Sequence, residues 1–349
     1  AKALYERALE LATDGKGRCH PVATKAVVGL ADVLREWNDL DAATDLLQQS
    51  IELAGRWSEI ITASGYLVLT RVRLAQGDLS GAAEAIDRAQ RLVAAWDISE
   101  IDDSFADVVQ TRVWLAQGDF TALERWRERR DLTREAVAAS LARDQGQVPP
   151  DYVQQIEYAA LARFHVARQK SDEALQILMP TTRAAEKLEW NGVAIETLTL
   201  QALAFRAQGD VERALDALQR ALKLGEPEGY VRSFLDEGAA MAELLREAAS
   251  QGIALEYVNK LLTAFEVAEH GALEQPGPPP QARASAEDLS ERELEVLRLL
   301  NTSLSSTEMA DELVVSVNTV RTHIRSIYSK LGVHSRYEAV ARARELKLI

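Results

Sequence analysis

The chain has 349 residues, 47% of them hydrophobic, 27% charged and only 6% aromatic, and it carries a net charge of −14. That length allows two or three domains, and the composition is that of an ordinary globular protein. No stretch approaches the roughly 20 apolar residues of a membrane helix, and the single cysteine, Cys19, excludes an internal disulfide and fits a reducing, cytoplasmic location.

The first ten residues, AKALYERALE, contain no basic-then-apolar secretion signal and read as the middle of a helix without a starting methionine. The expectation is a piece of a longer protein. Cys19 stands beside His20, but no second cysteine or clustered histidine supports a metal or nucleophile site there. Further on, a phrase repeats: Asn38-Asp39-Leu40, Gly77-Asp78-Leu79, Gly118-Asp119-Phe120 and Gly209-Asp210-Val211, with Gln169 where the glycine of a fifth copy would fall. Each phrase follows one helical pattern and precedes another. The glycine suits a left-handed cap on the first helix, and the aspartate can cap the second. Small residues recur early in the second helices (Ala43, Ala82, Ala122, Ala174 and Ala214), where two helices must approach closely. One longer step is explained by an insertion over 143–151, where Pro149-Pro150 breaks the helix. A period of about forty residues predicts a tetratricopeptide-like α-solenoid over 1–270, whose units bury their apolar faces only by stacking.

First helices of such repeats line the concave face. On that basis Tyr66, Arg73, Gln110, Trp114, Tyr158, Arg163, Thr197 and Gln201 are candidates for an effector groove, against the plainer alternative of inter-repeat core and solvated polar positions. No Gly-rich loop ends in Gly-Lys-Ser or Gly-Lys-Thr, and no nucleophile, base and orienting acid can be placed together. Asp102-Asp103 sits near a helix start, where carboxylates favour the dipole. No catalytic residue, metal site or cofactor is therefore expected in this chain, and it is not read as an enzyme.

After the last repeat come Ala221 to Gly238, then Met241 and Leu244-Leu245, and then a proline-rich linker over 271–287 with Pro276 and Pro278-Pro279-Pro280. The stretch 288–349 reads as four short helices. Ser290 with Glu293, Ser305 with Glu308, and Ser335 with Glu338 fit the capping box, and Ser316 is a plain N-cap. The helix after Ser316 has one apolar stripe (Val317, Val320, Ile324, Ile327, Tyr328 and Leu331) and an opposite face of Asn318, Arg321, Thr322, Arg325, Ser326 and Lys330. From Val314 onward Arg321, Arg325, Lys330, Arg336, Arg342, Arg344 and Lys347 face only Glu338 and Glu345. The segment 288–349 is neutral as a whole, so the solenoid carries the chain's negative charge; an acidic superhelix repels DNA, whereas the basic terminal helix can lie in a major groove.

Here the residues reach a family. The run Leu289-Ser-Glu-Arg-Glu-Leu-Glu-Val-Leu-Arg-Leu-Leu300, Glu308-Met-Ala310, Ser316 to Ile324 and Lys330-Leu-Gly-Val-His-Ser-Arg336 resembles the LuxR-type DNA-binding domain. The resemblance implies a four-helix helix-turn-helix domain whose base-reading positions are Arg321, Thr322 and Arg325. Backbone contacts would come from Ser306, Thr307, Ser316, Thr319, His323, Lys330 and Arg336, and Val317, Val320, Ile324, Leu331 and Val333 would be core; His323 is balanced between core and DNA. Ser303 and Thr307 depart from the family's glycine and long polar residue. The segment 221–245 is similar to the end of the sensor solenoid in MalT-like regulators, the large ATP-dependent branch of the LuxR family. That likeness implies an ATP-binding module upstream of this chain, an inducer or protein partner in the solenoid, self-association on double-stranded promoter DNA, and RNA polymerase as a partner, with no membrane. The alternative is a protein–protein scaffold in which the terminal domain serves for docking.

Overall fold

The computed structural model describes residues 2–12, 23–55, 58–95, 100–132, 137, 151–273, 289–302, 306–313, 315, 317–331, 336–346 and 348. Among them every regular element is a helix, and the chain divides into two compact units, Ala1–Glu274 and Gln275–Ile349. Cys19, His20, the residues 143–150 of the insertion, the linker from 274 onward, and Ser303, Ser305, Ser316, Val333 and Ser335 lie outside the described residues.

The first unit runs α1 (Lys2–Leu11), α2 (Thr24–Glu36), α3 (Leu40–Ala54), α4 (Glu59–Ala75), α5 (Leu79–Ala95), α6 (Glu100–Gln117), α7 (Phe120–Arg129), α8 (Tyr152–Ala167), α9 (Ser171–Lys187), α10 (Asn191–Ala207), α11 (Val211–Gly225), the short α12 (Arg232–Leu235), α13 (Ala239–Ser250) and α14 (Leu255–Leu273). Helices α2 and α3, α4 and α5, α6 and α7, α8 and α9, and α10 and α11 form successive hairpins. The turns explain why. Asn38, Gly77, Gly118, Gln169 and Gly209 all take positive φ, between 58° and 79°, which reverses the chain after each first helix. The next residue then caps the second helix: the carboxylates of Asp39, Asp78, Asp119 and Asp210 accept from the amides of Ala42, Gly81, Ala122 and Arg213. Lys170 holds that place in the fifth copy and makes no side-chain cap. Ala43, Ala82, Ala122, Ala174 and Ala214 are all buried, as close helix approach requires.

Stacking sorts the helices into layers. The first helices also touch one another in sequence, α2 with α4, α4 with α6, α6 with α8, and α8 with α10, and so form one continuous wall. The last hairpin is closed by Phe234, Met241, Leu244, Leu245, Val258 and Leu261, all fully buried. Tyr257 donates its hydroxyl to the Tyr230 carbonyl beneath them. The chain then returns to its beginning. The Val231 amide donates to the Glu36 carbonyl at 3.1 Å, the Ser233 amide to the Glu36 carboxylate at 2.7 Å, and the Trp37 indole to the Glu228 carbonyl at 2.9 Å. Arg35 pairs with Asp236 at 3.3 Å. The segment 228–236 thus bridges back to the first hairpin. The sequence places the linker from 271, and α14 extends to Leu273.

The second unit contains α15 (Glu291–Leu300), α16 (Ser306–Leu313), α17 (Val317–Leu331) and α18 (Arg336–Glu345). Its own core joins Val296, Leu297 and Leu300 to Met309, Ala310, Val320, Ile327, Leu331, Ala339 and Ala343. The predicted capping box at Ser290 is present: its hydroxyl accepts from the Glu293 amide, and the Glu293 carboxylate accepts from the Ser290 amide at 2.7 Å. Arg292 donates to the Leu313 carbonyl at 2.8 Å and ties α15 to the end of α16.

Candidate functional site

In the second unit α17 lies with one stripe in the core. Val320 and Ile327 are fully buried, Leu331 nearly so, and Ile324 and Tyr328 pack against the same cluster. Arg321, Thr322 and Arg325 occupy helical positions off this stripe, and on an ideal helix they fall within about 100° of one another. Their side chains lie outside the described residues, as do those of Ser306, Thr307 and Arg336. His323 and Thr319 are half-buried at the margin of the stripe. Lys330 and Ser326 fall elsewhere than on the reading face. Both donate to Glu293, Lys330 at 2.8 Å. Burial would raise the Glu293 pKa, but Lys330, Ser326 and the capping-box bonds outweigh it and hold the carboxyl at about 2. Lys330 thus makes an ion pair within the domain, with which a phosphate would have to compete.

In the first unit the wall of first helices encloses a cavity of about 770 Å³. Its charged lining is Arg71 on α4, Arg112 on α6, Arg163 on α8, Arg206 on α10 and Arg232 on α12, against Asp236 and Glu237. Between them lie Leu74, Leu115, Val166, Leu200, Leu203 and Leu235. A second cavity of about 430 Å³ shares Arg71, Arg112 and Arg163 but is faced by Asp32, Glu36 and Glu196. The three shared arginines, with Asp236 and Glu237, therefore stand between the leucine and valine wall of the larger cavity and the carboxylates of the smaller one, where Lys2 and Arg35 also lie. On the acidic side Arg71 grips both Asp32 oxygens at 2.8 and 2.9 Å. Arg112 and Arg163 share a single Glu196 oxygen at 2.7 and 3.0 Å. Arg163 also pairs with Glu237.

The shared carboxylate sets the electrostatics. Burial alone would raise the Glu196 pKa, but Arg112 and Arg163 outweigh it and hold the carboxyl at about 2. Arg112 is pushed below its ordinary value by burial first and then by neighbouring Arg163, which Glu196 only partly offsets. The Nε of Arg163 is buried with no partner.

Of the residues expected in the groove, Arg163 alone lines this cavity. Tyr158 is buried in the core with Trp126 and Phe164, and Trp114 packs against that core. Thr197 donates to the Val193 carbonyl of its own helix, and Gln201 to Leu178 and Thr182. Gln110 is buried. Tyr66 accepts from Arg88 at 3.2 Å, and Arg73 pairs with Asp78 at 3.6 Å beside the turn. Tyr158, Trp114, Tyr66 and Gln201 are thus taken up in contacts between helices, and Thr197 and Arg73 in bonds to their own helix and turn.

The family model for the MalT-like TPR region matches residues 1–251, which is most of the chain. The chain belongs to the MalT-like family. A second model, bacterial regulatory proteins of the luxR family, matches residues 287–343. The MalT HTH-type transcriptional regulators of Vibrio campbellii and Yersinia pestis are each 26% identical to it, over 332 and 337 residues, and that of Serratia proteamaculans is 25% identical. Each alignment covers 90% of this chain and 35% of the relative, so the chain spans about a third of the length of the curated relatives it matches.

In this MalT-like chain the missed arginines had a signal in the sequence. Counting back six residues from each left-handed turn residue gives Asp32, Arg71, Arg112, Arg163 and Leu203. Counting back three gives Arg35, Leu74, Leu115, Val166 and Arg206. Every residue in these two columns borders one or both cavities. The turn register, rather than amino-acid type, locates the inner surface. Among the described residues no group of histidine, cysteine and carboxylate side chains could hold a metal ion, and no helix is long and apolar enough to cross a membrane.

Proposed function

We propose that this chain is the effector-binding and DNA-binding part of a transcriptional regulator. Helix α17 enters the major groove of promoter DNA and reads bases through Arg321, Thr322 and Arg325. The observation that carries this reading is the packing of α17, whose Val320, Ile324, Ile327 and Leu331 stripe turns inward and leaves those three register positions off the core. A guanidinium that donates twice to guanine O6 and N7 contributes about 1–3 kcal/mol of discrimination. Thr319, His323 and Arg336, with Ser306, Thr307 and Ser316 at the helix starts, are the proposed backbone contacts, and hydroxyls and amides there would fix the register on the duplex. One small domain with few base contacts seldom gives specific affinity, so binding is as a dimer or larger assembly. The solenoid cavity is the effector site. Upstream ATP-binding sequence and contact with RNA polymerase belong to the same proposal, by analogy with the regulators that this chain matches over a third of their length.

The test is a gel shift on a promoter library with the chain and two variants. Arg321→Ala should lower discrimination between selected and scrambled duplexes by about tenfold, whereas Lys330→Ala should act on both alike through the stability of the domain. Equal loss on both duplexes from Arg321→Ala would reject the assignment of the reading face.

A further inference from the structure

The larger solenoid cavity has the chemistry of a site for one class of ligand. Its wall presents five arginines and two carboxylates inside a chain of net charge −14. A row of arginines along one wall of an acidic protein is not a consequence of composition. It arises because the turn register places Arg71, Arg112 and Arg163 in one column and Arg206 in the next. Arg71, Arg163, Arg206 and Arg232 each pair with at least one carboxylate, and Arg112 is the least satisfied of the five. Arg112 makes one hydrogen bond, from Nη2 to Glu196, and shares that oxygen with Arg163. Arg163 is nine-tenths buried, and its Nε has no partner. Burial and Arg163 both disfavour the charge on Arg112, so an added anion would relieve a strain already present. The remaining wall is leucine, valine and alanine, and about 770 Å³ is the size of a small-molecule pocket. An inorganic ion alone would leave most of that apolar wall uncovered.

We propose that the solenoid cavity binds a small organic anion with an apolar body, its carboxylate, phosphate or sulfonate head held by Arg112, Arg163 and Arg206 and its body laid against Leu115, Val166 and Leu203. This rests on the cavity being the effector site and names the ligand class. Guanidinium forks suit a planar or tetrahedral oxyanion through paired N–H bonds, and they do so best where water is excluded. A ligand without an anionic head would leave the spare N–H groups of Arg112 and the buried Arg163 Nε without a charged acceptor.

The probes are anilinonaphthalene sulfonate and phenylnaphthylamine, which share a ring system and differ by the sulfonate, with inorganic sulfate as the head alone. Titration of the chain by calorimetry and dye fluorescence should show one saturable sulfonate site, with the neutral dye and sulfate at least about tenfold weaker. Arg112→Met should weaken the sulfonate by about tenfold and leave the neutral dye within a factor of about two. If Arg112→Met fails to fold, Arg206→Met serves, because its partners Glu243 and Glu247 lie toward solvent. Equal affinity for the two dyes, or sulfonate binding indifferent to both variants, overturns the proposal. Displacement of the dye by decanoate or by decyl phosphate tells a carboxylate ligand from a phosphate one. The titrations contain no DNA, so failure of the reading helix leaves them intact. Sulfonate binding without any change in duplex affinity would keep the ligand site and reject its role as the effector site.

Discussion

Replacing Glu196 by glutamine tests the electrostatic centre of the solenoid. The carboxyl is held at about 2 against an ordinary 4.5. At about 1.36 kcal/mol for each pH unit, that gap corresponds to about 3 kcal/mol of stability at neutral pH. Glutamine keeps the shape and removes the charge, so Arg112 loses its one ion-pair partner while Arg163 retains Glu237. Breaking a buried pair on one side costs about 3–5 kcal/mol, and partial access of water to Glu196 favours the lower figure. The expected loss is therefore about 3 kcal/mol at pH 7. Its pH dependence has a fixed sign. Because the folded pKa is depressed, the contribution is complete above 4.5 and is lost as pH falls toward 2, so the gap between wild type and Glu196→Gln should narrow by about 1 kcal/mol between pH 7 and 3.5. Urea denaturation followed by tryptophan fluorescence isolates the event, since all six tryptophans precede residue 274. A loss under about 1 kcal/mol at pH 7, or a gap that does not narrow in acid, would refute the shared-carboxylate account.

Three further outcomes follow from particular contacts. Gln169→Gly should raise solenoid stability by about 0.5–1 kcal/mol in the same urea assay, because Gln169 sits at φ 58° where the other copies have glycine or asparagine. Arg35→Met should speed hydrogen exchange at the Val231 and Ser233 amides, which bond to Glu36 across the closure, and should leave the α8 to α11 core unchanged. Glu293→Gln should loosen the second unit at neutral pH, seen as faster exchange in α15 and α17. Wild type should loosen in the same helices as pH falls from 4.5 toward 2, since that depressed carboxyl contributes only while ionised.

Local rules carried much of the fold. The turn residue and the aspartate after it specify where each hairpin reverses and where its second helix starts, and both act through bonds within four residues. The stripe of α17 was legible for the same reason, as spacing alone decides which side chains share a face. The cavity was harder. Arg73 and Gln110 each stand two residues from a lining arginine, Arg71 and Arg112, and two residues turn a side chain about 200° around a helix. A guess by amino-acid type within a helix therefore lands on the wrong face as easily as the right one. The partners were not legible at all. Arg35 meets Asp236, and Arg163 meets Glu237, only because the stack brings the segment after α12 back against the wall of first helices. The Lys330 ion pair was hidden for a related reason: its carboxylate partner stands 37 positions earlier on another helix.

The claim on which the account turns is that α17 reads bases from the major groove. Dimethyl sulfate interference on a duplex selected by this chain addresses it most directly, since the methyl group is added at guanine N7 on the major-groove edge. Methylation at discrete guanines should block binding of the wild-type chain, and Arg321→Ala or Arg325→Ala should abolish the effect at one guanine each. Binding that tolerates methylation at every guanine, with the same pattern for wild type and both variants, would contradict it.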